Sequence, residues 1–237
     1  MQPKTEVHVR AYLFYASLAA WAIALGLALA GKYLWALACV ALALGADAAG
    51  RLWSRKSPVP MPYFMRWVLH LPRGPHSPAR LRRVLQPRSG ERILEIGPGV
   101  GVHALPVASQ LLPDGLDVLD IQQEMLDDLA VRAARRGLTN IVPRQGDAQQ
   151  LPYPSETFDA AYLIGVLGEI PDPQVALRQL RRVLKQSGRL VISEMIIDPD
   201  FIPLEDLKAK AHQAGFVFAR SVGPGIGHSA VFRPVAA

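Results

Sequence analysis

The chain has 237 residues, half of them hydrophobic, and carries 26 lysines and arginines against 20 aspartates and glutamates. The hydrophobic content excludes an intrinsically disordered chain. The single cysteine, Cys39, excludes a disulfide-stapled scaffold and a zinc site built from cysteines. The charge is uneven, because residues 1–90 hold 12 basic and two acidic residues, whereas residues 91–237 hold 14 basic and 18 acidic ones. The sequence therefore predicts two parts with different surroundings.

Two apolar stretches follow each other at the start of the chain. Residues 11–30 contain no charged side chain, and a helix of that length spans about 30 Å, the thickness of a bilayer's hydrocarbon core. A second apolar stretch follows after a short turn. We expect a two-helix transmembrane anchor over residues 1–53, with helices at about 11–30 and 33–53. A signal peptide over residues 1–30 and two buried helices of a soluble protein are the alternatives.

The basic residues around these stretches predict an orientation. Five lysines and arginines flank the two apolar stretches, and only Lys32 lies in the turn between them. Since basic loops stay on the cytoplasmic side of a membrane, both termini and the domain that follows the two helices are expected in the cytoplasm. The sequence thus predicts a two-pass protein of the cell membrane.

Residues 54–88 form a basic, proline-rich segment. Between residues 48 and 90 there are nine lysines and arginines and no acidic residue. We expect an interfacial segment from Arg51 to Arg88 that binds anionic lipid headgroups, at about 1 kcal/mol per basic residue near the surface. A linker followed by a helix that packs on the next domain is the alternative. Binding to nucleic acid is not expected, because the following domain is acidic.

From residue 89 onwards, strand-like runs alternate with helical runs, which is typical of a parallel sheet covered by helices on both faces. The clearest helix is predicted at residues 122–136, where apolar residues recur on one face. A further helix is expected around residues 204–214. The strands are predicted at residues 92–96, 116–120, 141–145, 159–164, 189–194, 216–222 and 229–232.

The first of these strands leads into a glycine-rich turn, Glu95-Ile-Gly-Pro-Gly-Val-Gly101. Glycines allow a ligand to approach the backbone closely, and the start of the following helix favours negative charge. The spacing is not that of the dinucleotide fingerprint G-x-G-x-x-G, because Val102 takes the place of its last glycine. Asp120 ends the second strand, where its carboxylate can accept hydrogen bonds from both hydroxyls of a ribose.

Four segments, in this order, resemble the class I S-adenosylmethionine-dependent methyltransferases, among them quinone and phospholipid methyltransferases. They are the E-x-G-x-G-x-G loop at residues 95–101, D-x-x-x-x-M-L at 120–126, GDA-x-x-LP…FD at 146–159, and the helix and strand at 180–191. The resemblance covers residues 80–237 and implies an α/β fold, a Rossmann-like, seven-stranded, doubly wound sheet, in a domain at residues 89–237. It also implies S-adenosylmethionine as the cofactor, S-adenosylhomocysteine as the product, and no metal.

The same resemblance implies roles for single residues, most of which follow the first three strands. The segment after the fourth strand, which starts at Ile164, often faces the methyl group in that family. The other cofactor contacts would be Glu95, Gly97, Gly99 and Gly101 with the methionine part, Asp120 with the ribose, and Ile121, Asp147 and Ala148 with the adenine.

No catalytic constellation follows from the sequence. Methyl transfer is an in-line displacement, so alignment and exclusion of water can do much of the work, and a base is needed only for an acceptor that must lose a proton. Glu169, the one ionisable side chain of the segment after strand four, and His103 are the catalytic candidates. His228 is a further candidate base, as are His70 and His76. The alternative for each of these residues is a structural role or a position exposed to solvent.

We therefore expect a membrane-anchored methyltransferase of a small lipophilic acceptor, such as a lipid, a quinone or an isoprenoid. Residues 194–216 leave little room for a lid between strands five and six, so residues 54–88 would cover the pocket and place its mouth beside the bilayer. The alternatives are an anchored methyltransferase of a soluble metabolite or a protein, and an inactive module that only binds S-adenosylmethionine.

Overall fold

A computed structural model describes residues 4–71, 76–111, 115–224 and 226–235. The chain divides into two compact units, Met1–Pro62 and Tyr63–Ala237. This division runs through the basic segment predicted at residues 54–88. Arg73 of that segment lies outside the described residues, as do the first three and the last two residues of the chain, to which the predicted orientation refers.

The first unit contains two helices joined by a short turn, α1 (Lys4–Leu29) and α2 (Tyr33–Lys56). The part of α1 from Ala11 to Leu29 and the whole of α2 are long and apolar enough to cross a bilayer by length and composition alone, with mean hydropathies of 1.8 and 1.6. Their large apolar side chains are mostly exposed, as Leu34 is at 83%. Among the described side chains of the two helices, those that are buried are all small: Ala11, Ser17, Ala24, Ala36, Ala43 and Ser54. Close contact through small residues is typical of helix pairs in membranes.

The second unit is built on a seven-stranded sheet. Its strands are β1 (Ile93–Ile96), β2 (Leu116–Asp120), β3 (Ile141–Gln145), β4 (Phe158–Ile164), β5 (Leu184–Met195), β6 (Phe216–Val222) and β7 (Gly227–Pro234). They lie in the order β3-β2-β1-β4-β5-β7-β6, with β1 to β5 parallel and β7 antiparallel to both of its neighbours. The strand order reverses between β1 and β4, and ligands of such sheets bind beyond the carboxyl ends of the strands at that point.

Helices cover both faces of the sheet, which confirms the predicted α/β class. They are α3 (Pro78–Leu85), α4 (Ala104–Leu111), α5 (Gln123–Arg135), α6 (Pro173–Val183) and α7 (Leu204–Gln213). One hydrophobic cluster joins the sheet to α6 and α7, and a second joins its other face to α3, α4 and α5. Among the described residues, the unit also contains the 3₁₀ helix Tyr63–His70, called the aromatic segment below, and the single 3₁₀ turn Leu167–Glu169.

Helix α3 packs on the domain rather than standing apart from it. Leu81 and Leu85 are buried in the second hydrophobic cluster. Arg189 of β5 pairs with Glu91 at 2.6 Å and donates to the backbone carbonyls of Leu85 and Gln86 at 2.6 and 2.9 Å. The carboxyl-terminal part of the basic segment is therefore held against the sheet.

The strand boundaries predicted from the sequence lie within two residues of the observed ones, apart from the start of β5. That strand begins at Leu184 rather than at Arg189, because Leu184 already pairs with Phe158 on β4. The register then shifts between Phe158 and Ala160 before regular pairing resumes. The polar residues between Leu184 and Arg189 conceal this pairing in the sequence.

Candidate active site

The glycine-rich loop lies at the carboxyl end of β1, beside the point where the strand order reverses. The backbone N–H of Gly97 donates to the carbonyl of Leu119 on β2 at 2.8 Å, which fixes the start of the loop. Gly97, Gly99 and Gly101 have φ angles of +65°, +52° and +83°. Residues with a Cβ atom are disfavoured in this left-handed region, so the loop conformation itself requires glycines.

Two side chains of the domain border this loop closely. A Cβ atom added to Gly97 would lie 2.6 Å from Cγ2 of Val166, which follows β4. A Cβ atom added to Gly99 would lie 2.9 Å from Cδ1 of Leu69 in the aromatic segment. The loop is thus reached from one side by the segment predicted to face the methyl group, and from another by the aromatic segment.

Asp120 lies at the carboxyl end of β2 and is only 7% exposed. Its Oδ2 accepts a hydrogen bond from the backbone N–H of Gly99 at 3.2 Å, and its Oδ1 accepts one from that of Gln122 at 2.9 Å. Burial raises the pKa of Asp120, and these N–H groups partly offset the rise. Each carboxylate oxygen retains a second lone pair, so the side chain can accept further hydrogen bonds.

Glu95 lies inside the sheet beneath the loop and is 2% exposed. The hydroxyl of Tyr162 on β4 donates to its Oε2 at 2.6 Å. Burial raises the pKa of Glu95 to about 8, with the hydrogen bond from Tyr162 acting in the opposite direction and the charge of Asp120 adding to the rise. Glu95 is therefore largely protonated at neutral pH, and a cationic group placed beside it would favour its ionised form.

The residues predicted to contact adenine lie on the neighbouring loops. Ile121 follows β2 and is 53% exposed, whereas Ala148 is buried. The backbone N–H of Gly146 donates to the carbonyl of Asp120 at 2.9 Å, which brings the loop after β3 beside the end of β2. Asp147 on that loop is exposed and accepts hydrogen bonds from the backbone N–H of Gln149 at 2.8 Å and from its side-chain amide.

The segment from Ile164 to Glu169 packs against the loop that follows β5. A Cβ atom added to Gly165 would lie 2.8 Å from Oδ2 of Asp198, and one added to Gly168 would collide with Asp200. Glu169 is half-buried, and its charge is near enough to contribute to the raised pKa of Glu194 at the end of β5. The structure therefore places Glu169 among other carboxyl groups rather than alone in solvent.

Two of the histidine candidates, His103 and His76, contact each other. His103 is buried between the glycine-rich loop and α4, with its Nε2 2.8 Å from the backbone carbonyl of His76. This contact is typical of a structural histidine. His70 ends the aromatic segment, and His228 is buried on β7.

Several residues of this region could not be singled out from the sequence. The pairing of β1 with β4 brings Tyr162 to Glu95 and Val166 to Gly97. Leu69 lies close to Gly99, although 30 residues separate the two along the chain. Glu194 ends an apolar strand, and a carboxyl group at the end of such a strand is the signal that could have drawn attention to it.

Comparison with known proteins finds similarity to methyltransferases. Residues 94–192, which run from β1 into β5, match the model of a methyltransferase domain. This match covers less than half of the chain. The fold agrees with this, since the chain superposes on a SAM-dependent methyltransferase of Aquifex aeolicus with a TM-score of 0.67, at 18% identity, over 75% of this chain and 100% of the other.

Curated relatives match the methyltransferase domain over shorter stretches. A 27-O-demethylrifamycin SV methyltransferase of Amycolatopsis mediterranei is 31% identical over 57% of this chain and 50% of its own length. A ubiquinone/menaquinone biosynthesis C-methyltransferase UbiE of Cellvibrio japonicus is 38% identical over 45% and 44%. A 2-methyl-6-phytyl-1,4-hydroquinone methyltransferase of Oryza sativa is 31% identical over 41% and 27%. The chain thus spans about half or less of the length of these relatives.

The residues at the carboxyl edge fit S-adenosylmethionine, the cofactor that this family implies. The left-handed glycines give the close backbone approach that such a ligand needs, and Asp120 and Glu95 supply carboxylates for hydroxyls and for an ammonium group. Across the described ranges, no group of three or more histidines, cysteines, aspartates or glutamates is arranged to hold a metal ion.

Proposed function

We propose that the protein is an S-adenosylmethionine-dependent methyltransferase. The observation that carries this proposal is the meeting of the glycine-rich loop with Glu95 and Asp120 at the point where the strand order reverses. The hydrogen bond from Gly99 to Asp120 joins the loop to the proposed ribose acceptor. The buried carboxyl group of Glu95 suits the ammonium group of the cofactor, and that of Asp120 on the neighbouring strand suits its ribose hydroxyls. The left-handed glycines let the loop backbone approach the ligand closely.

In this proposal the protein binds and orients, and the bound cofactor supplies an electrophilic methyl group on a sulfonium. Asp120 accepts hydrogen bonds from the ribose hydroxyls, and Glu95 pairs with the methionine ammonium group. Ile121 packs on the adenine ring, whose exocyclic amine lies near Asp147 and the backbone of Ala148. The segment that starts at Ile164 borders the methyl group, and its packing excludes water from the line of transfer.

We propose a lipophilic acceptor dissolved in the membrane, of the quinol or isoprenoid type. Two long apolar helices with exposed leucines and tryptophans precede the domain, and lipid would cover that surface. Only six residues separate the end of α2 from the start of the aromatic segment along the chain. Phe64 and Trp67 of that segment are exposed. The similarity to a quinone methyltransferase and to a hydroquinone methyltransferase supports this class of acceptor.

We also propose that the protein is located in the cell membrane. The two helices anchor it in the cell membrane with both termini and the domain in the cytoplasm, where S-adenosylmethionine is made available. The basic segment then meets anionic headgroups, and Arg83 and Arg88 are exposed for this contact. Arg83 belongs to α3, which packs on the sheet through Leu81 and Leu85.

The test uses the full chain in lipid nanodiscs. Methyl-labelled S-adenosylmethionine is supplied with a prenylated hydroquinone, with phosphatidylethanolamine, or with a mixture of soluble metabolites, and Asp120→Ala is the matched inactive control. We expect label in the extracted hydroquinone with the wild type only. Label in the soluble fraction alone would favour a soluble acceptor, and S-adenosylhomocysteine binding without any transfer would favour an inactive binding module.

A further inference from the structure

A second buried polar pair lies at the end of β5, outside the residues assigned to the cofactor. In the antiparallel pairing of β5 with β7, Glu194 lies directly opposite His228, and the adjacent Ser193 lies opposite Ser229. Successive side chains of a strand point to opposite faces, so the two pairs occupy different faces of the sheet. Glu194 and His228 continue the face that carries Ile192 and Ala230, under α6 and α7.

The two pairs differ in their hydrogen bonds. The hydroxyls of Ser193 and Ser229 bond each other at 2.7 Å. Glu194 is 2% exposed and His228 is 1% exposed, yet neither ring nitrogen of His228 nor Oε1 of Glu194 has a hydrogen-bond partner within the described part of the chain. Only the other oxygen of Glu194 is engaged, by the backbone N–H of Ile202 at 3.4 Å. Buried polar atoms without partners destabilise a fold, which calls for an explanation.

Burial, with a smaller contribution from neighbouring charges, shifts the pKa values of the pair. Burial raises the pKa of Glu194 well above its usual range, and the carboxyl groups of Asp198, Asp200 and Glu169 add to the rise. Burial lowers the pKa of His228. Both shifts favour the neutral forms, in which Glu194 can donate a hydrogen bond and a ring nitrogen of His228 can accept a proton.

The position of the pair places it on the acceptor side. Ser193 pairs with Ile164, the residue that opens the segment bordering the methyl group, so Glu194 lies one residue beyond it. The loop after β5 covers the pair, with the ring of Phe201 centred 5.8 Å from that of His228. Displacement of Phe201 would open the pair to a molecule that enters beside this segment.

We propose that Glu194 and His228 bind a hydroxyl-bearing methyl acceptor, with His228 as the base that takes the hydroxyl proton and Glu194 as the donor to a second oxygen. This inference rests on the proposed methyltransferase function and names the acceptor as a phenol-type molecule with two oxygens.

The step balances without a further reactant. The O–H bond of the acceptor breaks and its proton moves to a ring nitrogen of His228. The oxygen, or a ring carbon conjugated with it, then forms the new bond to the methyl carbon, and the electron pair of the broken C–S bond remains on sulfur. Where carbon is methylated, the ring proton is lost as the ring becomes aromatic again and the oxygen regains a proton. In both cases, one proton is released for each methyl group transferred.

The experiment exchanges the pair for apolar side chains of similar shape in the full chain, as His228→Phe, His228→Leu and Glu194→Met. We expect an equal or higher melting temperature, because unpartnered buried polar groups are removed. S-adenosylhomocysteine affinity should change less than about twofold, and transfer to a prenylated hydroquinone should fall by about 100-fold or more, the usual contribution of a positioned base. The control Ser229→Ala breaks a satisfied pair and should lower the melting temperature without loss of transfer.

Two readouts separate a base from a packing residue. Wild-type transfer should fall as His228 becomes protonated, at a pH below the usual histidine pKa of 6.5, because burial lowers the pKa of His228. The residual activity of His228→Phe should instead rise with pH as the acceptor ionises by itself. In binding assays with S-adenosylhomocysteine present, the hydroquinone should bind His228→Phe about tenfold less tightly than the wild type, and its dimethyl ether should bind both equally.

Retained transfer in the His228 variants would overturn the inference. So would a loss of transfer that parallels losses of melting temperature and of S-adenosylhomocysteine affinity. A wild type that binds S-adenosylhomocysteine but does not distinguish the hydroquinone from its dimethyl ether overturns the inference alone. A wild type that does not bind S-adenosylhomocysteine overturns the proposed function, and the inference with it.

Discussion

Both halves of the carboxyl edge of the sheet contain buried carboxyl groups, but the hydrogen bonding of these groups differs between the halves. In the half formed by β1 and β2, called the cofactor half below, Glu95 accepts a hydrogen bond from Tyr162, and Asp120 accepts two from backbone N–H groups. In the half formed by β5 and β7, called the acceptor half below, Glu194 and His228 retain atoms without a hydrogen-bond partner in the described part of the chain. Partnered groups keep a fixed geometry before any ligand arrives, whereas unpartnered ones leave their hydrogen-bonding capacity for a ligand to use.

The largest expected effect tests the glycine-rich loop of the cofactor half. Gly97→Ala should weaken S-adenosylhomocysteine binding by more than about 100-fold, because its Cβ would lie 2.6 Å from Val166 and distort the loop. Gly90→Ala is the matched control, since Gly90 has a φ of +86° but nothing within 4 Å of an added Cβ. Both variants carry backbone strain of about 1–3 kcal/mol. Calorimetry that finds equal affinities for the two variants would contradict the close approach at Gly97.

The next effect comes from Glu95, whose pKa of about 8 makes cofactor binding depend on pH. The ammonium group pairs with the ionised form, so S-adenosylhomocysteine affinity should rise about tenfold per pH unit below the pKa and level off near pH 8. Binding at pH 7 should release close to one proton, measured by calorimetry in buffers of different ionisation enthalpy. Glu95→Gln should remove both effects. Glu91 pairs with Arg189 away from the loop, so the control Glu91→Gln should keep them.

The same raised pKa has a consequence for stability. The native pKa of Glu95 exceeds its unfolded value of 4.5, so its contribution to the free energy of unfolding is complete below pH 4.5. This contribution is lost as the pH rises from 4.5 towards 8. Denaturant titrations of the ligand-free protein should show this loss in the wild type, and Glu95→Gln should remove its part of the pH dependence.

The sequence predicts the parts of this contrast that depend on residues close together along the chain, but not those that depend on distant residues. The glycine-rich loop and Asp120 are local features, because a strand, a turn and a helix follow one another along the chain, and they were predicted in place. The partners are not local. Tyr162 reaches Glu95 across 67 residues, and His228 meets Glu194 only because β7 inserts antiparallel beside β5. Periodicity gives each strand but not its neighbours, so the pairing at the acceptor half had no signal in the sequence.

The smallest effect on the cofactor half is expected from removing the first unit. A chain that begins at Tyr63 should keep its S-adenosylhomocysteine affinity within about twofold, since the loop, Glu95 and Asp120 all belong to the second unit. Transfer to a membrane-dissolved hydroquinone should nonetheless fall, because anchoring supplies a high effective concentration at the surface.

Vesicles containing phosphatidylglycerol should restore part of that transfer, and salt should abolish the rescue by screening. The double variant Arg83→Glu, Arg88→Glu should weaken the rescue and leave cofactor affinity unchanged. Full activity of the shortened chain without vesicles would contradict a membrane-dissolved acceptor.

The central claim, that the cofactor lies on the β1–β2 half, is tested most directly by titrating S-adenosylhomocysteine into Asp120→Ala. Asp127→Ala, an exposed carboxylate on α5, is the control. Loss of a hydrogen-bonding charged group costs about 1.5–3 kcal/mol, so the dissociation constant should rise about 10- to 150-fold for Asp120→Ala and stay unchanged for the control. An unchanged affinity in Asp120→Ala, with the wild type binding normally, would contradict the account.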